Sequence, residues 1–268
     1  MFTWLNALLP EPLKIGLRGI LAPIIGFRVA KNWESAVSGS SGYQSPQTIS
    51  TIEGSDPVVD KWTADQNFLG NRYLQVASAI LSGLNFEKLK SDTPLRVLDI
   101  GGGLGEYFFL LSDNLPNLKF EWLILETPAL CELAKSKHAD SSGISWTDAL
   151  NDSSQSFDIV LLSSVIQYVE KPFELIEMAV QKAPLLIFNR LPLSANAHNL
   201  VCIQRPGLFE SKGSYPVHIL SEQLFISYLL SRGHINSRWQ VPEDVAVVRF
   251  RKIMNQGLTF RPHTSTAI

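Results

Sequence analysis

The chain has 268 residues, 45% hydrophobic and 18% charged, with a formal net charge of −2. That balance suits a globular chain with a sizeable core. It excludes a disordered polymer and gives no electrostatic basis for nucleic acid as a partner. Two cysteines exclude a disulfide scaffold and point to a reducing, cytoplasmic setting, and the five histidines show no metal-ligand spacing with each other or with cysteine, so no metal is expected.

At the amino end, Leu5 to Val29 is apolar but broken by Lys14, Arg18 and Arg28 and by Pro10, Pro12 and Pro23. The longest uncharged run here, Gly19 to Phe27, is far too short to span a bilayer. No small-residue cleavage site follows a clean apolar stretch, so no secretory signal is expected. Leu13, Leu17, Ile20, Leu21, Ile24 and Ile25 share one helical face. Such a helix either packs on the domain or a second subunit, giving a homodimer, or lies at a membrane surface, which would place the protein at the inner membrane face.

Ser35 to Pro57, rich in Ser, Gly, Thr and Pro, reads as a long loop, the candidate lid of a 1–59 extension. Asp60 to Leu84 resumes helical spacing, with Tyr73, Val76, Ala77, Ile80 and Leu81 at helical steps and Gly83 at its end. From Arg96 strands and helices alternate: strands at Arg96–Ile100, Phe120–Leu125, Ile144–Trp146, Phe157–Leu162 and Leu185–Asn189, with helices from Gly105, Pro128 and Pro172 between them. Leu191 to Tyr215 reads as a polar, irregular insert. A helix from Ser221 to Arg232 precedes two strands, His234–Trp239 and Val245–Lys252, paired antiparallel across a turn at Pro242-Glu243-Asp244. Arg249, Arg251 and Lys252 then fall on the solvent face of an edge strand, and residues 256–268 form a frayed tail. The expected fold is α/β: a doubly wound, mostly parallel seven-stranded sheet over 60–255, with an antiparallel edge strand and an N-terminal helical extension.

The most informative stretch is Leu98-Asp99-Ile100-Gly101-Gly102-Gly103-Leu104-Gly105. It reads as a buried strand, a glycine turn and a helix start. Glycine passes through positive φ and lets backbone approach a ligand. Glycines at 101, 103 and 105 make G-x-G-x-G, whereas the dinucleotide fingerprint needs its last glycine one place later, where Glu106 stands. Asp99 adds an acceptor at the strand's carboxyl end. Glu126 ends the second strand, where a carboxylate can accept both hydroxyls of a ribose; Thr127-Pro128 then opens a helix. Asp148 and Ala149 follow the third strand, and Ser163, Ser164, Gln167 and Tyr168 follow the fourth. Tyr107 opens the helix under the turn. Base candidates in the insert and just beyond it are His198 and His218, and Arg190 is a candidate for an anionic acceptor group.

An acid followed by G-x-G-x-G resembles the first motif of the class I S-adenosylmethionine-dependent methyltransferases. With Asn189-Arg190-Leu191-Pro192, Ser214-Tyr215-Pro216, Trp33 and Gly42-Tyr43, residues from about Trp33 to Trp239 resemble an uncharacterised bacterial methyltransferase group associated with surface polysaccharide and lipopolysaccharide assembly. The resemblance implies S-adenosyl-L-methionine as cofactor. It would be held by Asp99, Gly101, Gly102, Gly103, Gly105, Tyr107, Glu126, Thr127, Asp148, Ala149, Ser163 and Ser164, with Asp148 at the adenine amino group and apolar neighbours against the ring. It further implies methyl transfer, foremost to oxygen, of a small-molecule or saccharide-type acceptor, with His198, His218, Arg190 and Tyr168 as candidates at the reacting centre. Gln167-Tyr168 departs from the His often found after the fourth strand. Two rivals stand beside this reading: a nicotinamide-dependent oxidoreductase, and a non-catalytic scaffold at a membrane surface.

Overall fold

The computed structural model describes residues 10–21, 26–54, 66–84, 92–152, 154–205 and 213–263. Ile24, Ile25 and the first turns of the expected Asp60–Leu84 helix lie outside the described residues.

The chain opens with helix α1 (Glu11–Leu21), strand β1 (Gly26–Val29) and helices α2 (Trp33–Ser38), α3 (Pro46–Gly54) and α4 (Gln66–Gly83). The stretch expected to be a Ser/Gly-rich loop thus carries two helices. Asn32 starts α2 with a capping box: its side chain accepts from Ser35 N while Ser35 Oγ accepts from Asn32 N. That signature is short and polar, so it looks like loop in composition.

The alternation then follows as expected: β2 (Leu95–Ile100), α5 (Glu106–Asn114), β3 (Phe120–Leu125), α6 (Pro128–Lys137), β4 (Ile144–Thr147), β5 (Ile159–Ser163), a 3₁₀ turn (Ile166–Tyr168), α7 (Pro172–Val180) and β6 (Leu186–Leu191). Pro at the first turn of α6 and α7 presets the helical φ where no amide donor is needed. Beyond β6 lie β7 (Leu193–Ser194), β8 (Leu200–Arg205), β9 (Tyr215–Ser221), α8 (Glu222–Leu230), β10 (Gly233–Val248) and β11 (Arg251–Pro262).

Seven strands form the large sheet in the order β10-β11-β6-β5-β2-β3-β4, parallel from β6 to β4, with β11 antiparallel to both β6 and β10. Side chains alternate across it. Val97 joins Trp122, Ile124, Leu111 and Ile80 on the face of α4, α5 and α6, whereas Leu98 joins Val160, Leu162, Ile176 and Phe225 on the face of α7 and α8. Both faces are covered, which is why β5 reads as an unbroken apolar run.

The described part of the expected irregular insert belongs to a second sheet. Strands β1-β8-β9-β7 make four-stranded pairing, with β1 and β9 both antiparallel to β8. Its core joins Cys202, Val217 and Ile219 to Ala246, Val248 and Ile253. The last three belong to the β10–β11 hairpin, which is longer than expected. Its strands pair from Gly233↔Pro262 to Val248↔Arg251, with a register shift between Val241 and Val245. Pro242-Glu243-Asp244 is therefore a bulge and not the turn, because Pro lacks the amide a regular ladder needs. The turn is Arg249-Phe250, both at positive φ. Residues 256–262, expected to fray, instead complete β11 against β6.

Candidate functional site

The carboxyl ends of β2, β3, β5 and β6 converge on the glycine turn. Gly101, Gly103 and Gly105 adopt φ of 71°, 57° and 94°. Gly101 N donates to Leu125 O at 2.9 Å and Gly105 N to Gly102 O at 3.0 Å, closing the turn. Each missing Cβ has a different reason. At 101 it would stand 2.6 Å from Val165 Cγ2, at 102 it would collide with the Asp99 carboxylate, and at 105 it would stand 2.7 Å from Ile144 Cδ1. At 103 it would meet nothing within 4 Å. Gly103 therefore faces open space, while Trp146 Nε1 fixes its carbonyl from behind at 3.0 Å.

That space is a cavity of ≈ 240 Å³ walled by the glycine turn, Asp99, Glu106, Tyr107, Ser163 and Arg190, and covered by Tyr43 and Ile52. Asp99 is 1% exposed, and Trp122 Nε1 donates to it at 3.2 Å. Burial, with the nearby Glu126 and Glu106 charges, pushes its carboxyl up to about 7 despite the Trp122 bond. Glu126 stands at the end of β3, where Thr127 N donates to its Oε2 at 2.6 Å and the Gly103 amide also donates to it. Burial raises its pKa and those donors hold it back. Beneath the cavity runs a buried chain of hydrogen bonds. Trp239 Nε1 donates to Asn189 Oδ1 at 3.1 Å, Asn189 Nδ2 donates to Tyr107 Oη at 2.9 Å, and Tyr107 Oη meets Ser163 Oγ at 2.8 Å.

Ser164 and Arg190, at the ends of β5 and β6, have φ of 57° and 58°. For side chains other than glycine this conformation costs about 1–2 kcal/mol each. It turns Arg190 into the wall between the first cavity and a second one of ≈ 130 Å³. The second cavity lies among Ser164, Gln167, Tyr168, Arg190, Gln204, Asp244 and Asn255, against Phe27 and Val217. The bulge at 242–244 aims Asp244 at Arg190 Nε, and the two form an ion pair. Burial disfavours the Arg190 charge, yet the Asp244 carboxylate beside it raises its pKa further still. Gln167 and Asn255 both donate to Arg190 O, at 3.2 and 3.3 Å, and their amide oxygens are buried with no partner. Tyr168 Oη donates to Gln204 at 3.0 Å, and Tyr43, Tyr168 and Tyr215 cluster with ring centroids 5.3 to 6.0 Å apart.

Of the residues singled out from sequence, Asp99, Gly101, Gly102, Gly103, Tyr107, Ser163 and Arg190 line the first cavity, while Ser164, Gln167, Tyr168 and Arg190 line the second. Gly105 shapes the turn, and Glu126 and Thr127 stand at its edge. Asp148 and Ala149 follow β4 as exposed residues, and Thr147 Oγ1 rather than Asp148 organises that bend through Ala149 O at 2.7 Å. The histidines lie elsewhere. His198 is exposed in the bend between β7 and β8. His218 sits on the opposite side of β9 from Val217, stacked on Trp33 at 4.5 Å, with Nε2 3.2 Å from Glu170 O. Burial lowers its pKa. Strand alternation, invisible while 191–215 read as irregular, turns it away from both cavities. Tyr43, Ile52, Gln204, Asp244 and Asn255 are site residues that sequence reading missed; only the Gly42-Tyr43 pair gave a signal. Among the described residues, no three His, Cys, Asp or Glu gather as a metal site, and no helix is long and apolar enough to cross a membrane.

No protein-family model matches the sequence, nor does any curated relative. Solved structures do match. The N-terminal domain of EvdMO1, with SAH bound, aligns at a TM-score of 0.51 and 16% identity over 72% of this chain and 82% of that one. The same domain in the presence of SAH and D-fucose aligns at 0.50 and 15% identity, over 72% and 84%. The two chains share a fold. It is the mostly parallel Rossmann-like α/β arrangement expected from the sequence. A looser overlap, TM-score 0.46 at 14% identity over 80% of this chain and 92% of that one, is with magnesium protoporphyrin IX methyltransferase (ChlM) from Synechocystis PCC 6803 with bound SAH.

Proposed function

We propose that the protein is an S-adenosyl-L-methionine-dependent methyltransferase acting on a hydroxyl of a small, saccharide-type acceptor. The observation that carries the cofactor is Gly103: a backbone unit at positive φ, bare on its cavity side, with its amide turned to the Glu126 carboxylate. Bare backbone suits the close approach of an amino-acid group, Asp99 offers an acceptor below it, and Glu126 at the next strand suits the two hydroxyls of a ribose. EvdMO1's N-terminal domain, of the same fold, was solved with SAH bound. When bound, the cofactor supplies a methyl group already activated by the positive charge on sulfur. The protein's share is to hold an acceptor close and in line, shield it from water, and take up its proton.

The second cavity supports the acceptor class. Among the described residues its one cation, Arg190, is paired with its one carboxylate, Asp244, so these leave no net charge to attract an anion. The remaining polar groups are amides and hydroxyls, and the unpartnered oxygens of Gln167 and Asn255 ask for donors such as sugar hydroxyls. This revises the reading of Arg190 as an anion binder.

Calorimetry with the demethylated product SAH tests the cofactor. Binding is expected for the wild type and at least tenfold weaker binding for Gly103→Ala and Glu126→Ala, with circular dichroism unchanged. Binding of NADH without SAH would establish the oxidoreductase instead. Labelled-methyl uptake across neutral sugars, their phosphates and their uronic acids then tests the acceptor; uptake confined to the anionic sugars refutes it.

A further inference from the structure

The β10–β11 hairpin turns at Arg249 and Phe250, with φ of 48° and 65°. Two-residue turns of this hand are normally built from Asn-Gly, because a side chain at positive φ crowds its own carbonyl at about 1–2 kcal/mol per residue. Here that cost is borne twice, and its outcome is a phenylalanine 59% exposed at the tip, where its ring adds little to the core. Arg249, Arg251 and Lys252 flank it and are exposed. The three cations also line a cavity of ≈ 410 Å³ behind the tip with Ser194, Asn196 and Gln240, and no carboxylate among the described residues lines it. In a chain of net charge −2, this end is locally cationic.

A second apolar feature lies at the same hairpin. Helix α1 packs on β10 and β11, yet Leu13, Leu17 and Ile20, one stripe at i, i+4 and i+7, are 58%, 48% and 68% exposed. Strand β1, which follows α1, packs Phe27 and Val29 against Ala246, Val248 and Ile253 directly below the tip. Strand β1 thus reaches the small core below the tip, while α1 lies on the same hairpin.

We infer that this end of the molecule docks on an anionic lipid bilayer. Phe250 and the α1 stripe enter the interfacial zone, and Arg249, Arg251 and Lys252 receive lipid phosphates. The cationic rim argues against a second copy as occupant, since two such tips repel. The inference is independent of the chemistry proposed for the cavities.

Co-sedimentation of the full chain with vesicles tests it. Pelleting is expected with phosphatidylserine–phosphatidylcholine vesicles at low salt, and at least tenfold weaker binding with phosphatidylcholine alone or at high salt. Phe250→Ser and the pair Arg251→Glu, Lys252→Glu are expected to lose it. The decisive variant is Arg249→Asn with Phe250→Gly, which gives the turn its preferred residues. It is expected to melt at a higher temperature than the wild type and yet to release the vesicles, so loss of binding cannot be loss of fold. Equal pelleting with both lipids, pelleting with neither, or variants that pellet like the wild type would overturn the inference. So would a dimer in analytical ultracentrifugation that Phe250→Ser dissolves.

Discussion

Asp99 shows how one buried carboxyl ties the binding turn to stability. It is shut away beneath Gly102, and its pKa of about 7 exceeds that of an aspartate in an unfolded chain, about 4. The folded state therefore binds a proton more tightly than the unfolded one. Its contribution to stability is fully present below about pH 4 and is lost as the pH rises through about 7. Thermal melts from pH 4 to 8 are expected to show this decline in the wild type and a flatter curve in Asp99→Asn, which keeps an acceptor for Trp122. Parallel curves would remove Asp99 as the cause. The glycine turn was legible in the sequence because its constraints are local: a strand, a tight turn and a helix start within a dozen residues. Tyr43, Asp244 and Asn255 were not, because each reaches the site by tertiary routing. His198 and His218 are the converse case: their side-chain chemistry suggested a base, and the chain path puts both outside the linings of the two cavities.

At the scale of elements, the bulge in β10 matters most. Pro242-Glu243-Asp244 reads as a turn from composition alone, and the same residues interrupt a ladder without ending it. The extra residues let β10 leave the large sheet, cover the small one, and point Asp244 at Arg190 on the way. Asp244 is the one carboxylate among the described residues lining the second cavity, and we expect it to accept the acceptor's proton. Asp244→Asn should retain SAH binding while turnover falls by about a hundredfold, the usual range for losing a positioned base. Unchanged turnover would leave Asp244 as a structural partner of Arg190 alone. The parallel strands were legible as apolar runs bounded by turn residues. Strands β8 and β9 were hidden: Pro216 interrupts one, and the other is only a four-residue apolar run, Leu200 to Ile203, ending in Gln204-Arg205. The hairpin turn was hidden too, since Arg-Phe carries no turn signal.

For the molecule as a whole, the N-terminal segment adds a second bridge between the two sheets, beside the β10–β11 hairpin. Gly42 N donates to Ser214 O at 2.9 Å at the start of β9, and Lys137 Nζ at the end of α6 donates to Glu53 O at 2.9 Å. Tyr43 and Ile52, between these anchors, cover the first cavity. Hydrogen exchange is expected to slow across residues 42–54, as well as in the glycine turn, when SAH is added. Slowing confined to the turn would show that the cover plays no part in binding.

The two cysteines each mark one sheet. Cys131 on α6 is 4% exposed against the large sheet, and Cys202 in β8 is fully enclosed within the small one. Burial raises both thiols, Cys202 up to about 12, so neither meets an alkylating reagent while its surroundings stay closed. Under native conditions each labelling rate clocks the opening of its own sheet. The unaltered chain can thus report whether the two halves breathe together or apart.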